Sequence, residues 1–259
     1  MKKKFLFLLV IHTFLLFAQE KETLENKTFY NYGGEITWDF IDDSILEISE
    51  YNEVSGLNKK SIEYVYQKTG PYYTLVLNEN GKETQYVALL GVDDDFFLLY
   101  EKTNTKPIYN GFFGKNSLFY NGKAKYTTED YLVEGKINYI PDNLKDISIG
   151  MPWVEGSKDS GIGNHIYIEN SRNISSLILS NGFVAFKTTT YYNNNRLKKI
   201  RITNTENKSQ SFDFCLEDNS IPQEIKLPFI SKRVEIEILE VYKGQKYDDT
   251  CVNFILCKN

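Results

Sequence analysis

Period-two alternation of apolar and polar residues runs through nearly the whole chain and limits it more than any other feature. Ile36, Trp38 and Phe40 alternate with Thr37 and Asp39; Ile62, Tyr64 and Tyr66 with Glu63 and Val65; Tyr73, Leu75 and Leu77 with Thr74 and Val76. In the second half Ile166 and Ile168, Ile200 and Ile202, Phe212, Phe214 and Leu216, Val234, Ile236 and Ile238, and Val252, Phe254 and Leu256 repeat the pattern. Successive side chains of a strand point to opposite faces, so this spacing specifies strands with one face to bury. No amphipathic helix longer than a turn or two is evident after the first residues. The expectation is an all-β chain.

The two halves are punctuated differently. In the first, short runs end in Asp42-Asp43, Gly70-Pro71, Asn80-Gly81 and Asp93 to Asp95, and further runs follow at 86–90 and 96–100. Asn-Gly supplies the positive φ angles of a two-residue hairpin, so about six strands succeed one another as a meander. Closure into a small barrel of lipocalin-like architecture removes the exposed edges, and is expected here. Residues 101–141 read as loops with one or two more strands, with a boundary at Pro141-Asp142. Beyond it, cleaner alternation at about ten-residue spacing predicts seven or eight strands in a jelly-roll sandwich.

Three lysines at 2–4, an apolar run from Phe5 to Phe17 and Ala18 have the layout of a cleaved secretory signal. The expected division is a signal peptide at 1–18, an antiparallel barrel at 19–141 and a sandwich at 142–259, in a secreted or periplasmic protein that does not span a membrane once cleaved. Losing the signal leaves 27 Lys and Arg against 35 Asp and Glu. That balance opposes nucleic-acid binding. The deficit lies in residues 19–141, with 12 bases and 20 acids, whereas residues 142–259 carry 15 of each.

The cysteines give one constraint. Six extended residues separate Cys251 from Cys257 by roughly 20 Å on one face of a strand, too far for a disulfide. Cys215 can pair with one of them at most, so at least one thiol is free; a small buried hydrophobe is the favoured role. Asp93, Asp94 and Asp95 lack the spacing of a calcium loop and read as a turn. Tyr64, Tyr66, Tyr72, Tyr73 and Tyr86 suit half-buried strands without forming a pocket.

The residues costliest to keep cluster between Pro152 and Arg201: PWVEG at 152–156, GIG at 161–163 and NNNR at 193–196, followed at 243–251 by KGQKYDDTC. In order along the chain, these resemble the NADase-type glycan-binding domain, a discoidin-like β-sandwich module. Asp146 stands seven residues before Trp153; WVEG and GIG match at Trp153–Gly156 and Gly161–Gly163; Asn181-Gly182, Tyr192, Asn195 and Arg196 follow; and KxYDDTC matches at Lys246–Cys251 behind Lys243-Gly244. The sequence departs from the family at Met151 and Asn164, both in the expected ligand loops.

The resemblance implies non-catalytic binding of a glycan or another envelope polymer at one end of the sandwich. Trp153, Tyr191 and Tyr192 supply aromatic faces, and Asp146, Glu155, Asn195, Arg196, Asp248 and Asp249 supply planar polar groups for hydroxyls. No metal and no cofactor are expected. The competing reading of these residues is structural: Arg196 pinning loops through Asp248 or Asp249, and Trp153 as a buried lid. An enzyme is disfavoured, since His165 is the one histidine left after cleavage and no GxSxG, HExxH or P-loop is present. Glu155 with Asp248 or Asp249 leaves a carboxylate-pair glycoside hydrolase as the catalytic alternative. An adhesion scaffold without a small ligand is the third.

Overall fold

The computed structural model describes residues 22–103, 108–114 and 124–258. The expected signal segment at 1–18 lies outside them. Eight strands meander up and down and close: Thr28–Tyr30 (β1), Ile36–Phe40 (β2), Ile45–Asn52 (β3), Gly56–Thr69 (β4), Tyr72–Glu79 (β5), Lys82–Leu90 (β6), Phe96–Glu101 (β7) and Ile108–Phe113 (β8). Each pairs antiparallel with the next, and Tyr30 opposite Phe113 joins β1 to β8. The expected barrel is present with eight strands rather than six. β8 falls within residues 101–141, where one or two further strands are expected; β1 and β3 are not among the runs read from the sequence, β1 because it has three residues and β3 because Ile45 and Leu46 stand side by side in ILEISEYN and break the alternation.

Alternation decides what fills the barrel. Inward positions place Phe29, Trp38, Phe40, Tyr64, Tyr66, Leu75, Leu77, Ala88, Phe97 and Phe112 in one buried cluster. Phe29 stacks on Phe97 at 5.1 Å between centroids, and Tyr64 meets Phe40 edge-on at 5.0 Å. An eight-stranded barrel is just wide enough to be filled by side chains, and aromatics do so here. The Asn80-Gly81 hairpin takes positive φ at both residues (54° and 81°), as its sequence predicts. Val92–Asp94 form a 3-10 turn closed by Asp95, and Asp94 accepts from Lys27.

The second sheet contains Lys125–Thr128 (β9), Trp153–Val154 (β12), His165–Asn181 (β13), Asn195–Asn204 (β14), Ser211–Cys215 (β15), Gln223–Tyr242 (β16) and Thr250–Lys258 (β17), with a small hairpin of Val133–Glu134 (β10) and Ile137–Asn138 (β11) beside it. The long strands β13 and β16 pair along two stretches, 165–169 with 233–237 and 176–179 with 223–226. The first part of β13 pairs with β9 and the second with β17, with register shifts between Glu169 and Ser176. Ile166, Ile168, Leu177, Leu179, Ile200, Ile202, Val234, Ile236, Ile238, Val252 and Ile255 make its core. β9 lies upstream of the division expected at 141–142, yet its partner is β13. Its tyrosine adds to the same core, Tyr126 donating to the Ile255 carbonyl at 2.6 Å.

A bulge corrects one inference about the cysteines. β13 pairs Ser180 with Phe254 but Asn181 with Val252, so Asn253 is extra. One extra residue inverts the alternation on either side of it. Cys257 therefore faces the main core with Val252 and Ile255, whereas Cys251 packs with Tyr139 and Val154. All three cysteines are free thiols, Cys215 exposed and the others buried.

Barrel and sandwich share a buried seam. Tyr72, Val87, Leu89, Phe96, Leu98 and Tyr100 from the barrel pack against Ile149, Ile178, Val184, Phe254 and Leu256. Polar groups there are paired across it. The Tyr72 hydroxyl donates to the carbonyls of Ala185 and Phe186 at 2.9 and 3.0 Å, and Ser220 donates through N–H and Oγ to the Pro71 carbonyl, both at 2.8 Å.

Candidate functional site

The loops singled out by sequence meet at one end of the sandwich, but most of their side chains point inward. Trp153 opens β12 opposite Val252, is 1 % exposed and belongs to the main core. Its indole N–H has no hydrogen-bond partner among the described residues. Trp153 is therefore not an aromatic face for a ligand, as the resemblance implies, but takes the buried position of the competing reading: pairing with β17 turns the ring into the apolar interior, where its large area is hidden.

Glu155 is the hub of the first loop. Its side chain is buried, and it accepts from Ser157 N–H at 2.8 Å, from the Ser157 hydroxyl, and from Thr250 N–H at 3.4 Å. Asn164, a departure from the family pattern, donates to Ser157 Oγ at 3.0 Å and so extends the same network. Burial raises the Glu155 carboxyl above its ordinary range, against these three donors, and the nearby Asp249 adds to the rise. GIG exists to let this network close. Gly161 has φ +67°, and a Cβ there would lie 2.8 Å from the Glu155 side chain.

Asn195 and Arg196 perform the same office for the second pair of loops. Asn195 donates to the Asp248 carbonyl and accepts from Gly244 N–H at 2.7 Å, while its own N–H reaches the Asp249 carbonyl at 2.9 Å. The Arg196 guanidinium does not pair with Asp248 or Asp249. It forks onto Asp218, at 3.0 and 2.6 Å, and donates to the carbonyls of Asn194 and Lys243, each at 3.0 Å. Tyr191 and Tyr242 flank it, with ring centroids at 5.2 and 5.9 Å. Tyr191 also donates to Asp218 at 3.2 Å. Gly182 makes room: a Cβ there would stand 2.4 Å from the Tyr191 ring and 2.8 Å from Arg196.

The remaining candidates form the surface. Asp248 is exposed and pairs with Lys243 at 3.0 Å, both side chains well solvated. Asp249 is half-buried, and burial with the charges of Asp248 and Glu134 raises its carboxyl. Tyr192 is half-buried, meets Tyr191 edge-on at 5.3 Å and borders Gly70 of the barrel. Asp146 is exposed after the 3-10 turn Pro141–Lys145 and makes none of the hydrogen bonds that join the other candidates. Thus Glu155, Asn195 and Arg196 converge as an internal frame, Asp248, Asp249 and Tyr192 as its rim, and Asp146 stands apart. Thr250 belongs to the KxYDDTC element, but Asp218 is missing from the sequence reading, since an acid beside Glu217 in a turn carries no local signal.

A family model described as the NAD glycohydrolase translocation F5/8 type C domain matches residues 119–258. The chain belongs to this family. The match begins ahead of β9, in step with the pairing of β9 into the sandwich. Among solved structures, the chain is similar to the family 32 CBM from C. perfringens NanJ in complex with galactose, at 12% identity and TM-score 0.39, covering 55% of this chain and 98% of that one. It is also similar to the C-terminal domain of a chitobiase from Bacteroides fragilis, at 14% identity and TM-score 0.38, covering 53% and 94%. No curated protein matches. Among the described residues, no group of three or more His, Cys, Asp or Glu is placed to hold a metal ion, and no helix is long and apolar enough to cross a membrane.

Proposed function

We propose that this is a non-catalytic, extracytoplasmic binding protein whose F5/8 type C domain takes a carbohydrate, or another polar envelope polymer, at the loop end of the sandwich. One observation carries the reading. The loop bearing Asp248 and Asp249 is fixed from beneath by Asn195, which holds the Asp248 carbonyl and Gly244 N–H, and by Arg196, which holds the Lys243 carbonyl. The rim is therefore set before any ligand arrives, which lowers the entropy cost of binding. Tyr192 offers an aromatic edge beside it.

The glycoside-hydrolase alternative loses support from the same geometry. Both Glu155 oxygens are engaged inside the fold, so the carboxyl lacks an open path to a scissile bond. The scaffold reading is favoured by a different fact, namely that Trp153, Asn195 and Arg196 all serve the fold. Titration of the full chain against glycans and cell-wall polymers separates the two. Binding in the micromolar to millimolar range, worth about 4–8 kcal/mol, is expected to weaken about tenfold in Asp248→Ala and Tyr192→Ala, both checked for unchanged melting. Absence of any ligand, or binding indifferent to both substitutions, supports the scaffold.

A further inference from the structure

A second concave surface lies away from those loops. A cavity of about 390 Å³ opens on the outer face of the sandwich, lined by side chains of β9, β13 and β16 and walled by the turn after β14. Its size is within the range of ligand sites. The strand register explains its floor. Lys125, Glu169 and Arg233 are Cα partners across β9, β13 and β16, and Thr127, Tyr167 and Glu235 form the next row. All six therefore project from one face. The wall is braced: Thr205 donates to the Arg233 carbonyl through N–H at 3.2 Å and through Oγ1 at 3.3 Å.

The charges in this cavity are unequal in their pairing. Glu169 is held by Arg233 at 2.8 Å, and Glu235 lies 3.3 Å from His165 Nε2. Lys125 and Lys208, the other two bases of the lining, make no ion pair among the described residues. Tyr167 is 37 % exposed and stacks on His165 at 5.9 Å, while its hydroxyl is tied to Glu129 at 3.3 Å. His165 stacks on one side of the ring, and Tyr167 is part of the cavity lining. The lining thus carries three cations, Lys125, Lys208 and Arg233, against two carboxylates, Glu169 and Glu235, which leaves a surplus of one positive charge beside an aromatic ring in an otherwise acidic protein.

We propose that this cavity is a second binding site, for a saccharide unit bearing a carboxylate. The sugar's C–H face lies on Tyr167, its carboxylate is taken by Lys125 and Lys208, and its hydroxyls meet Glu169, Arg233 and Thr127. The assignment rests on the carbohydrate reading of the sandwich but not on the loop-end rim. Aromatic contact and planar polar partners are the chemistry that sugar rings select, and unpaired cations add the preference for an acidic one.

Calorimetry of the full chain with oligogalacturonate and with a neutral oligogalactan of equal length tests it. The acidic ligand is expected to bind more tightly, with affinity falling as salt rises. Lys125→Ala combined with Lys208→Ala is expected to weaken it at least tenfold and remove most of the salt dependence; Tyr167→Ala weakens it likewise. These are surface substitutions, and unchanged melting confirms the fold. Retention of oligogalacturonate binding in both variants, or its loss in Asp248→Ala instead, overturns this site while leaving the carbohydrate function intact. Equal affinity for the neutral oligomer overturns the acidic class. If neither these oligomers nor any glycan of the wider panel binds, both readings fall together.

Discussion

Lys258, at the end of the sandwich's last strand, places its Nζ 2.6 Å from Oδ2 of Asp95 in a turn of the barrel, with both side chains mostly buried. Burial works against the ammonium, but the bond and charge of Asp95 outweigh it and raise the Lys258 pKa. A lysine raised in the folded state stabilises at all pH values below its unfolded pKa, and the gain is lost only as pH rises through the folded one. The contact therefore holds across the neutral range. It sits at the margin of the apolar seam formed by Tyr72, Leu98, Phe254 and Leu256.

That seam bears on where the chain can be cut. A fragment of residues 142–259 lacks β9 and its Tyr126, and it uncovers Ile178, Phe254 and Leu256. A fragment of 119–259 keeps β9. In thermal scans by circular dichroism the longer fragment is expected to unfold cooperatively and at a higher midpoint; both should bind a hydrophobic dye more strongly than the intact chain. Equal midpoints for the two fragments would place the boundary at Pro141-Asp142 after all.

The Arg196–Asp218 fork is expected to matter more than the Lys243–Asp248 pair. Removing one partner of a fully buried ion pair costs about 3–5 kcal/mol, and the partial exposure of Asp218 lets water offset some of this. Asp218→Ala should therefore lose about 2 kcal/mol in urea unfolding. Lys243→Ala, from a solvated pair, should change stability by no more than about 0.5 kcal/mol. A reversed order would mean that Arg196 draws its stability from the two carbonyls alone.

Glu155 predicts a pH dependence. Its carboxyl is raised in the folded protein above the ordinary value of 4.5, chiefly by burial. The folded state then holds the proton more tightly than the unfolded one, so stability rises as pH falls through the folded pKa towards the ordinary value, and above the folded pKa the full cost of the buried charge is present. As pH falls from neutral towards the ordinary carboxyl value of 4.5, the wild type is expected to gain stability relative to Glu155→Gln. Parallel curves in chemical denaturation over that window would show that the donors from Ser157 and Thr250 cancel the burial.

Two glycines with nearly equal φ angles should respond differently to alanine. Gly81 (φ +81°) faces open space, whereas at Gly182 (φ +76°) a Cβ meets the Tyr191 ring. Gly81→Ala pays only the left-handed backbone, about 1 kcal/mol. Gly182→Ala adds overpacking and should cost about 3 kcal/mol or more. Denaturation midpoints of the two variants give the comparison directly.

Alternation alone was enough to make the chain all-β, because Trp38, Phe40, Tyr64 and Leu75, or Ile200, Ile202, Val234 and Ile236, leave one face of each strand in need of burial. Asn80-Gly81 fixed its own hairpin by the same local logic, and the ordered loop residues from Trp153 to Cys251 carried the family. Local pattern could not say which way those loop residues face. Trp153 is interior because β12 pairs with β17, Arg196 finds Asp218 across 22 positions, and Cys251 and Cys257 part company because Asn253 is inserted between them. Orientation of that kind depends on partners distant in sequence and on register shifts of a single residue, and neither leaves a periodic trace. The same holds for the cavity over Tyr167, whose lining from β9, β13, β16 and the turn after β14 comes together only when the long strands have paired.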